Sequence, residues 1–313
     1  MMIRILAVII AAGCVADIVQ AADPADARRQ LESLRTALTV AVCPNGCASA
    51  KPVAAKPPPA AWVRHETKNF IIWHCGAPAQ GPAMGDVCER LRTHLTAQWI
   101  GASDAASWTP QCELVFHPQA SSYTRFLGAG SEQSAGCTTV KLNGGKVAVR
   151  RIDLRADSPQ RLASALPHEL THVIVADVFA DRQIPRWADE GVAVLAEAAN
   201  RQEVLANSWQ NTISRDGLFS VRELLNVQVY PDVSRRGAFY GQSASLVRFL
   251  VAQGTPDQFV RFVRRSFGAG GYDAALKDVY QIDGVAQLET LWVDHVRVLV
   301  AARTSHRAIQ HQN

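Results

Sequence analysis

Two histidines and a glutamate within five residues carry the clearest chemistry of this chain, at His168, Glu169 and His172. They form the pattern H-E-x-x-H, which predicts a zinc site when it lies on a helix. Because positions four apart share one face of a helix, about 6 Å apart along its axis, both imidazoles can be directed at one metal ion. Zinc would lower the pKa of a bound water towards about 7, and Glu169 would accept the proton of that water.

The residues around this motif predict a buried helix over 159–180. Its apolar positions are Leu162, Leu166, Leu170, Val173 and Val175. A surface helix with two solvated histidines is the alternative, and it conflicts with this apolar pattern. Imidazoles and a carboxylate on a buried helix need partners, because an unpaired buried polar group costs several kcal/mol, and a metal ion would be such a partner.

A third ligand is expected because a catalytic zinc has three protein ligands and one open position. After His172 the chain reads Pro185-Arg186-Trp187-Ala188-Asp189-Glu190-Gly191-Val192-Ala193, which places Glu190 eighteen residues beyond His172. Glu190 begins a second helical stretch, predicted over 186–199, and the spacing allows the first helix to end, turn and return. Glu190 is therefore the candidate for the third ligand.

The H-E-x-x-H at 168–172 followed by W-x-x-E-G-x-A at 187–193 resembles the gluzincin zinc metallopeptidases, and within them the peptidase-MA-like set. The resemblance implies that Glu190 is the third zinc ligand. It also implies an α+β, zincin-like fold, with a small twisted sheet over the H-E-x-x-H helix followed by a helical C-terminal lobe. The chain departs from thermolysin, which has an Asp four residues after the third ligand, because Val194 occupies that position.

The resemblance further implies a hydrogen-bond donor from the helical lobe that stabilises the developing oxyanion. Tyr240, which opens a predicted helix about 50 residues after Glu190, is the candidate. Tyr230 is the local rival, and an ordinary core tyrosine is the other interpretation of Tyr240. Glu169 would act as general base and then as the acid that protonates the leaving amine.

Carboxylates near the histidines are candidates to orient them, because histidine ligands usually donate their second N–H to a carboxylate or a backbone carbonyl. Asp177 and Asp189 are the nearby carboxylates. Asp189 directly precedes Glu190, which favours a side chain that points away from the metal.

A basic strand is predicted at 146–154, after a hairpin-like turn at Asn143-Gly144-Gly145. As an edge strand it would pair with an extended peptide through the backbone. Its arginines, Arg150, Arg151 and Arg155, would then favour acidic residues or a C-terminal carboxylate. A solvated charged edge that discourages aggregation is the alternative.

The first 21 residues have the features of a signal peptide. Arg4 precedes an apolar run from Ile5 to Ala16, and Val19-Gln20-Ala21 has small residues where signal peptidase cleaves. A lipoprotein signal that ends before Cys14 is the alternative. Either segment predicts an exported protein, periplasmic or secreted, and no later run is apolar and long enough for a membrane helix.

The remaining chain divides at a linker rich in proline and alanine. Residues 22–61 are predicted to hold a short amphipathic helix at 24–42 and this linker, which makes the helix an appendage or a prosegment. The metallopeptidase domain is expected over 62–303, followed by a tail at 304–313.

Seven cysteines accompany the export signal, and six remain outside it. An even number of cysteines in an exported chain implies disulfides. Pairing of nearest neighbours predicts the bonds Cys43–Cys47, Cys75–Cys88 and Cys112–Cys137. Metal binding by Cys43 and Cys47 is the alternative for the first pair.

Composition narrows the function classes. The chain has 313 residues, of which 48% are apolar and 19% charged, values typical of a globular protein. Its net charge is +4 without a dense Lys/Arg stripe, which disfavours nucleic acid as a partner. The main hypothesis is an exported zinc peptidase that acts on a peptide or protein substrate. The alternatives are a non-catalytic zinc-containing binding or assembly module and a zinc amidase acting on cell-wall peptide.

Overall fold

The chain is an α+β protein in which a small mixed sheet is followed by helices. A computed structural model describes residues 24–42, 62–101, 106–210 and 218–310. Its strands are β1 Val63–Glu66, β2 Phe70–His74, β3 Cys112–His117, β4 Gly136–Asn143 and β5 Lys146–Arg155. Its helices are α1 Pro24–Val42, α2 Gln80–Trp99, α3 Ala120–Leu127, α4 Pro159–Val178, α5 Arg186–Leu195, α6 Ala199–Gln210, α7 Val221–Leu225, α8 Val233–Ala252, α9 Pro256–Arg265, α10 Gly271–Tyr280 and α11 Gly284–Gln310. The α+β prediction is thereby confirmed.

The five strands form one sheet in the order β1-β2-β3-β5-β4. The central strands β2, β3 and β5 run parallel, and β1 and β4 are antiparallel strands at the two edges. A tight turn joins β4 to β5, where Gly144 and Gly145 adopt φ angles of 56° and 73° that glycine reaches without strain. Within the described part of the chain, β4 pairs with β5 on one side and has no strand on the other.

The prediction that the basic strand is the edge strand is wrong, because β5 lies between β3 and β4. Its arginines form ion pairs with carboxylates of the protein and do not extend freely into solvent. Arg150 bonds to Asp177, Arg151 bonds to Glu113 and Asp153, and Arg155 bonds to Asp157. These arginines are therefore engaged by carboxylates of the chain itself, and they do not form a row for a substrate carboxylate.

Helix α4 separates two hydrophobic cores. Its residues Leu162, Leu166 and Leu170 belong to the core under the sheet, which also includes residues of α2 and α1. Its C-terminal part, with Val175, packs with the helices that follow, around the fully buried Trp187. The zinc-motif helix is therefore held from both sides, as its apolar residues predicted.

The predicted N-terminal helix coincides with α1, which packs against α2 and α4. Leu31 and Leu38 are buried in the core under the sheet. The buried Arg35 donates from Nη2 to the carbonyl oxygen of Ala196 at 2.6 Å. This helix is thus packed against the same core as the zinc-motif helix. The predicted signal peptide at 1–21 and the predicted linker within 43–61 lie outside the described residues.

Several elements differ from the predicted ones. Helix α6 has no counterpart in the prediction, because its apolar residues are few and Val204 is 58% exposed. Helix α8 begins at Val233 rather than at Tyr240, and α11 extends to Gln310, into the segment 304–313 that was predicted to be a tail. Strand β1, only four residues long, was also not predicted. None of the described helices combines the length and the apolar character that a membrane span requires.

The disulfides predicted between Cys75 and Cys88 and between Cys112 and Cys137 are not formed, since all four cysteines are free thiols. Cys112 lies on β3 and Cys137 on β4, with β5 between them. Two strand spacings amount to roughly 9.6 Å, beyond the roughly 7 Å between Cα atoms that a disulfide spans. Cys88 is buried in the core, and burial raises the pKa of its thiol. Cys43 and Cys47 lie outside the described residues.

Candidate metal centre and its cleft

His168 and His172 lie one turn apart on α4, with ring centroids 4.9 Å apart. The Nδ1 atom of each ring donates to a carboxylate. His168 donates to Glu197 Oε1 at 2.9 Å, and His172 donates to Asp189 Oδ1 at 2.7 Å. Because an ionised carboxylate only accepts, these bonds place the proton on Nδ1 and direct each Nε2 atom towards a metal ligand position.

Glu190 brings a buried carboxylate to both Nε2 atoms. Its Oε2 lies 3.5 Å from His168 Nε2 and 3.8 Å from His172 Nε2, and it accepts no hydrogen bond from the described residues. In a tetrahedral zinc site with bonds of about 2.1 Å, the donor atoms are roughly 3.4 Å apart. The three donor atoms lie within 4.8 Å of one another and therefore fit a metal ion, which would satisfy the otherwise unpartnered Oε2.

The residues on either side of Glu190 explain how α5 is positioned. Trp187 is fully buried, and its Nε1 donates to the Tyr272 hydroxyl at 3.0 Å. A Cβ atom at Gly191 would lie 2.4 Å from the Val247 side chain and 2.8 Å from the Ser243 carbonyl oxygen. Only glycine therefore lets α5 approach α8 this closely. The W-x-x-E-G pattern anchors the helix on one side of Glu190 and packs it tightly on the other.

The carboxylates of the site change the proton affinity of its histidines. Burial alone would lower the pKa of His172, but Asp189 and Glu190 raise it to about 9. Burial likewise opposes the charged form of His168, yet Glu190 and Glu197 raise its pKa well above the ordinary value. Burial would raise the pKa of Glu190, whereas His172 and His168 lower it to about 2. The negative field that favours protons here also favours a divalent cation.

Two tyrosines approach the site from the helical side. The Tyr230 hydroxyl donates to Glu190 Oε1, and the guanidinium of Arg186 lies 4.5 Å from the centre of its ring. Tyr240, in the middle of α8, lines the cleft without a hydrogen bond from its hydroxyl to another described residue. Burial and the charge of Glu190 raise the pKa of both hydroxyls, so both keep the proton that they can donate.

A cleft of about 630 Å³ opens above the three donor atoms. Residues of β4, including Gly136, Thr138 and Val140, line one wall, and Tyr230 and Tyr240 line the other. Glu169 faces this space and is 9% exposed. The cleft is large enough for several residues of an extended peptide, and it leaves room beside the donor atoms for a further metal ligand.

Sequence reasoning missed one of the two carboxylates that hold the histidines. Asp189 does bond to His172, although its position beside Glu190 had favoured an outward side chain. The partner of His168 is Glu197, which had not been named. The sequence feature that could have pointed to Glu197 is its position as an acidic residue directly after the apolar run 191–196. Asp177 instead bonds to Trp108 and Arg150, away from the histidines.

Comparison with known proteins agrees with this geometry. Residues 149–298, which include most of β5, the three donor residues and both tyrosines, match the family model described as the Peptidase MA superfamily. The match supports a peptidase-MA-like family, and over this region the family resemblance predicted from the sequence is confirmed. No curated protein and no solved structure matches the chain significantly. The family supports a peptidase, in general terms, acting on peptide or protein.

Proposed function

We propose that this protein is a zinc-dependent peptidase of gluzincin type with a zincin-like fold. The observation that carries the proposal is the buried, unpartnered Oε2 of Glu190, which faces the Nε2 atoms of His168 and His172. The described residues offer three donors and no fourth protein ligand. A structural zinc site has four protein ligands, so the donor set favours an enzyme over a module that keeps zinc for structure.

His168, His172 and Glu190 would hold the ion. When bound, zinc supplies Lewis acidity and lowers the pKa of water in the cleft. Glu169, the next residue after His168, accepts a proton from the attacking water and passes it to the leaving amine. The Tyr240 hydroxyl, which lines the cleft and has no partner among the described residues, donates a hydrogen bond to the developing oxyanion.

Tyr230 has a different role in this proposal. Its hydroxyl donates to Oε1 of Glu190 and leaves Oε2 for the metal. The ring is held between Arg186 and Phe239, with its centre 4.5 Å from the guanidinium and 6.2 Å from the Phe239 ring centre. Tyr230 would therefore orient the third ligand, and Tyr240 is left as the donor to substrate.

The substrate would be an extended peptide that pairs with the open edge of β4. This strand lines the cleft from Gly136 to Leu142, and β5 occupies its other side. Backbone pairing gives affinity with little sequence selectivity. We further propose that residues 1–21 export the enzyme to the periplasm or the exterior, with a lipoprotein anchor at Cys14 as the alternative.

The direct test combines metal analysis with hydrolysis of denatured, dye-labelled casein. Purified wild-type protein should contain one zinc per chain and cleave casein, and a chelator should abolish cleavage. Glu169→Gln should keep zinc and lose roughly 10²- to 10⁴-fold in kcat, because it removes the general base. Wild-type protein that binds no zinc would contradict the proposal. Zinc binding with cleavage of cell-wall peptide but not of casein would assign an amidase instead.

A further inference from the structure

Two residues of the edge strand β4 contact the side chain of Glu169. Thr138 Oγ1 lies 2.8 Å from Glu169 Oε2 and 3.0 Å from the Glu169 carbonyl oxygen, and it donates its one proton to these acceptors. Gly136, two positions earlier, faces the same side chain. A Cβ atom there would lie 2.7 Å from Glu169 Cγ and 2.9 Å from Oε1. No side chain larger than glycine fits at this position without moving the carboxylate.

The two contacts act on different parts of the same carboxylate. The hydroxyl of Thr138 fixes Oε2 by a hydrogen bond, which is stronger than usual when the acceptor is charged. Gly136 leaves the space that Cγ and Oε1 occupy. Oε1 has no hydrogen bond to any described residue, so it is the oxygen left to accept a proton from the cleft.

We propose that Gly136 and Thr138 position Glu169 for proton transfer, an inference that rests on the proposed peptidase function. The base is then held by the strand on which the substrate would be laid. Because proton transfer needs a heavy-atom separation of about 2.6–3.2 Å, a carboxylate free to rotate away would spend less time within reach of the attacking water. Thr138 is thus a positioning residue that acts through Glu169.

Substitutions of Thr138 separate this role from simple packing. Thr138→Val keeps the shape but loses the hydroxyl, and kcat on labelled casein should fall about ten- to a hundredfold with KM and zinc content little changed. Thr138→Ser restores the hydroxyl and should recover most of the loss. Thr139→Val, the matched control on the same strand, changes a residue outside the cleft and should leave kcat as in the wild type.

Gly136→Ala tests the second contact without removing a hydrogen bond. The added methyl group should displace the carboxylate and reduce kcat at least tenfold while zinc remains bound. Wild-type kcat in Thr138→Val, or a rise in KM alone, would overturn the positioning role, as would failure of Thr138→Ser to recover activity.

Crystal structures of the zinc-free wild type and of Thr138→Val provide a readout that is independent of catalysis. The Glu169 side chain should occupy one rotamer in the wild type and move or spread over several in Thr138→Val. An unchanged rotamer contradicts the inference even if the enzyme is a peptidase. A changed rotamer in a protein without zinc or hydrolysis supports the positioning contact and rejects the proposed function instead.

Discussion

The two walls of the cleft make different hydrogen bonds to the site. The strand wall, β4, bonds to Glu169 through Thr138. The helical wall bonds to the three candidate metal donors, through Glu197 to His168, Asp189 to His172 and Tyr230 to Glu190. We therefore expect metal binding and catalytic turnover to depend on different hydrogen bonds. Loss of one of these three hydrogen bonds on the helical side should weaken metal binding, whereas loss of the Thr138 hydrogen bond should slow an enzyme that still holds its metal.

The largest effect on the helical side is expected from Glu190→Ala. Removing the third ligand should lower zinc affinity by more than the roughly 10- to 100-fold expected for a carboxylate that only orients a ligand. Competition with a fluorescent chelator measures this affinity. Glu203→Ala, at an exposed position on α6, is the control and should bind zinc normally. Wild-type affinity in Glu190→Ala would assign the third ligand to another residue.

A smaller loss of metal is expected from Glu197→Gln and Asp189→Asn. Each amide keeps the shape of the side chain but weakens the hydrogen bond that orients one histidine, so zinc affinity should fall about 10- to 100-fold. At saturating zinc, kcat should change less than the affinity does. If these variants bound zinc as tightly as the wild type but turned over slowly, the division between the two walls would be wrong.

Arg35→Met extends the comparison to the N-terminal helix. The guanidinium donates to the carbonyl oxygen of Ala196, the residue before Glu197, and to Glu32 at 2.5 Å. Its loss should lower the free energy of unfolding by about 1–3 kcal/mol and zinc affinity by less than tenfold. Urea unfolding and chelator competition measure the two effects, with Ser33→Ala as the exposed control on the same helix. Unchanged stability would show that α1 does not support the site.

The effect expected to reach the site least concerns the sheet under the strand wall, where Asp153 pairs with Cys137 of β4 in the strand register. Burial would raise the pKa of Asp153, but hydrogen bonds from His117 and Arg151 lower it below the ordinary value of 3.8. A lowered pKa means that the carboxylate stabilises the fold above about pH 4. This contribution is lost as the pH falls through the folded-state pKa.

The corresponding measurement compares wild type with Asp153→Asn by urea unfolding, with chelator present throughout. The two free energies of unfolding should differ by about 2 kcal/mol at pH 7 and by less at pH 3. Asp86→Asn, at an exposed ion pair, should differ from wild type by no more than about 0.5 kcal/mol at either pH. A difference that grows on acidification would contradict the sign of the pKa shift.

Local sequence patterns predicted part of the site. His168, Glu169 and His172 were located from sequence because residues four apart on a helix must share a face. Glu190 followed from the W-x-x-E-G pattern, and the structure explains that pattern by the burial of Trp187 and the close packing of Gly191. The positions of α1 and α4 were also predicted, because apolar periodicity reports which face of a helix is buried.

Contacts between distant elements were not predictable in the same way. The charges of Arg150 and Arg151 suggested an exposed edge, but their partners Asp177 and Glu113 come from other parts of the chain. The nearest-neighbour disulfides failed for a related reason, because closeness in sequence does not give closeness across a sheet. Cys112 and Cys137 are separated by a strand that follows both of them.

The sequence by itself located the three candidate metal donors, the candidate base beside the first of them and the family resemblance, because these depend on helical periodicity and short spacings. Only the tertiary structure decided which strand forms the wall of the cleft, which carboxylate orients each histidine and which tyrosine bonds to Glu190. Those choices depend on how separate elements pack, and the energy of that packing is shared among residues far apart in the chain.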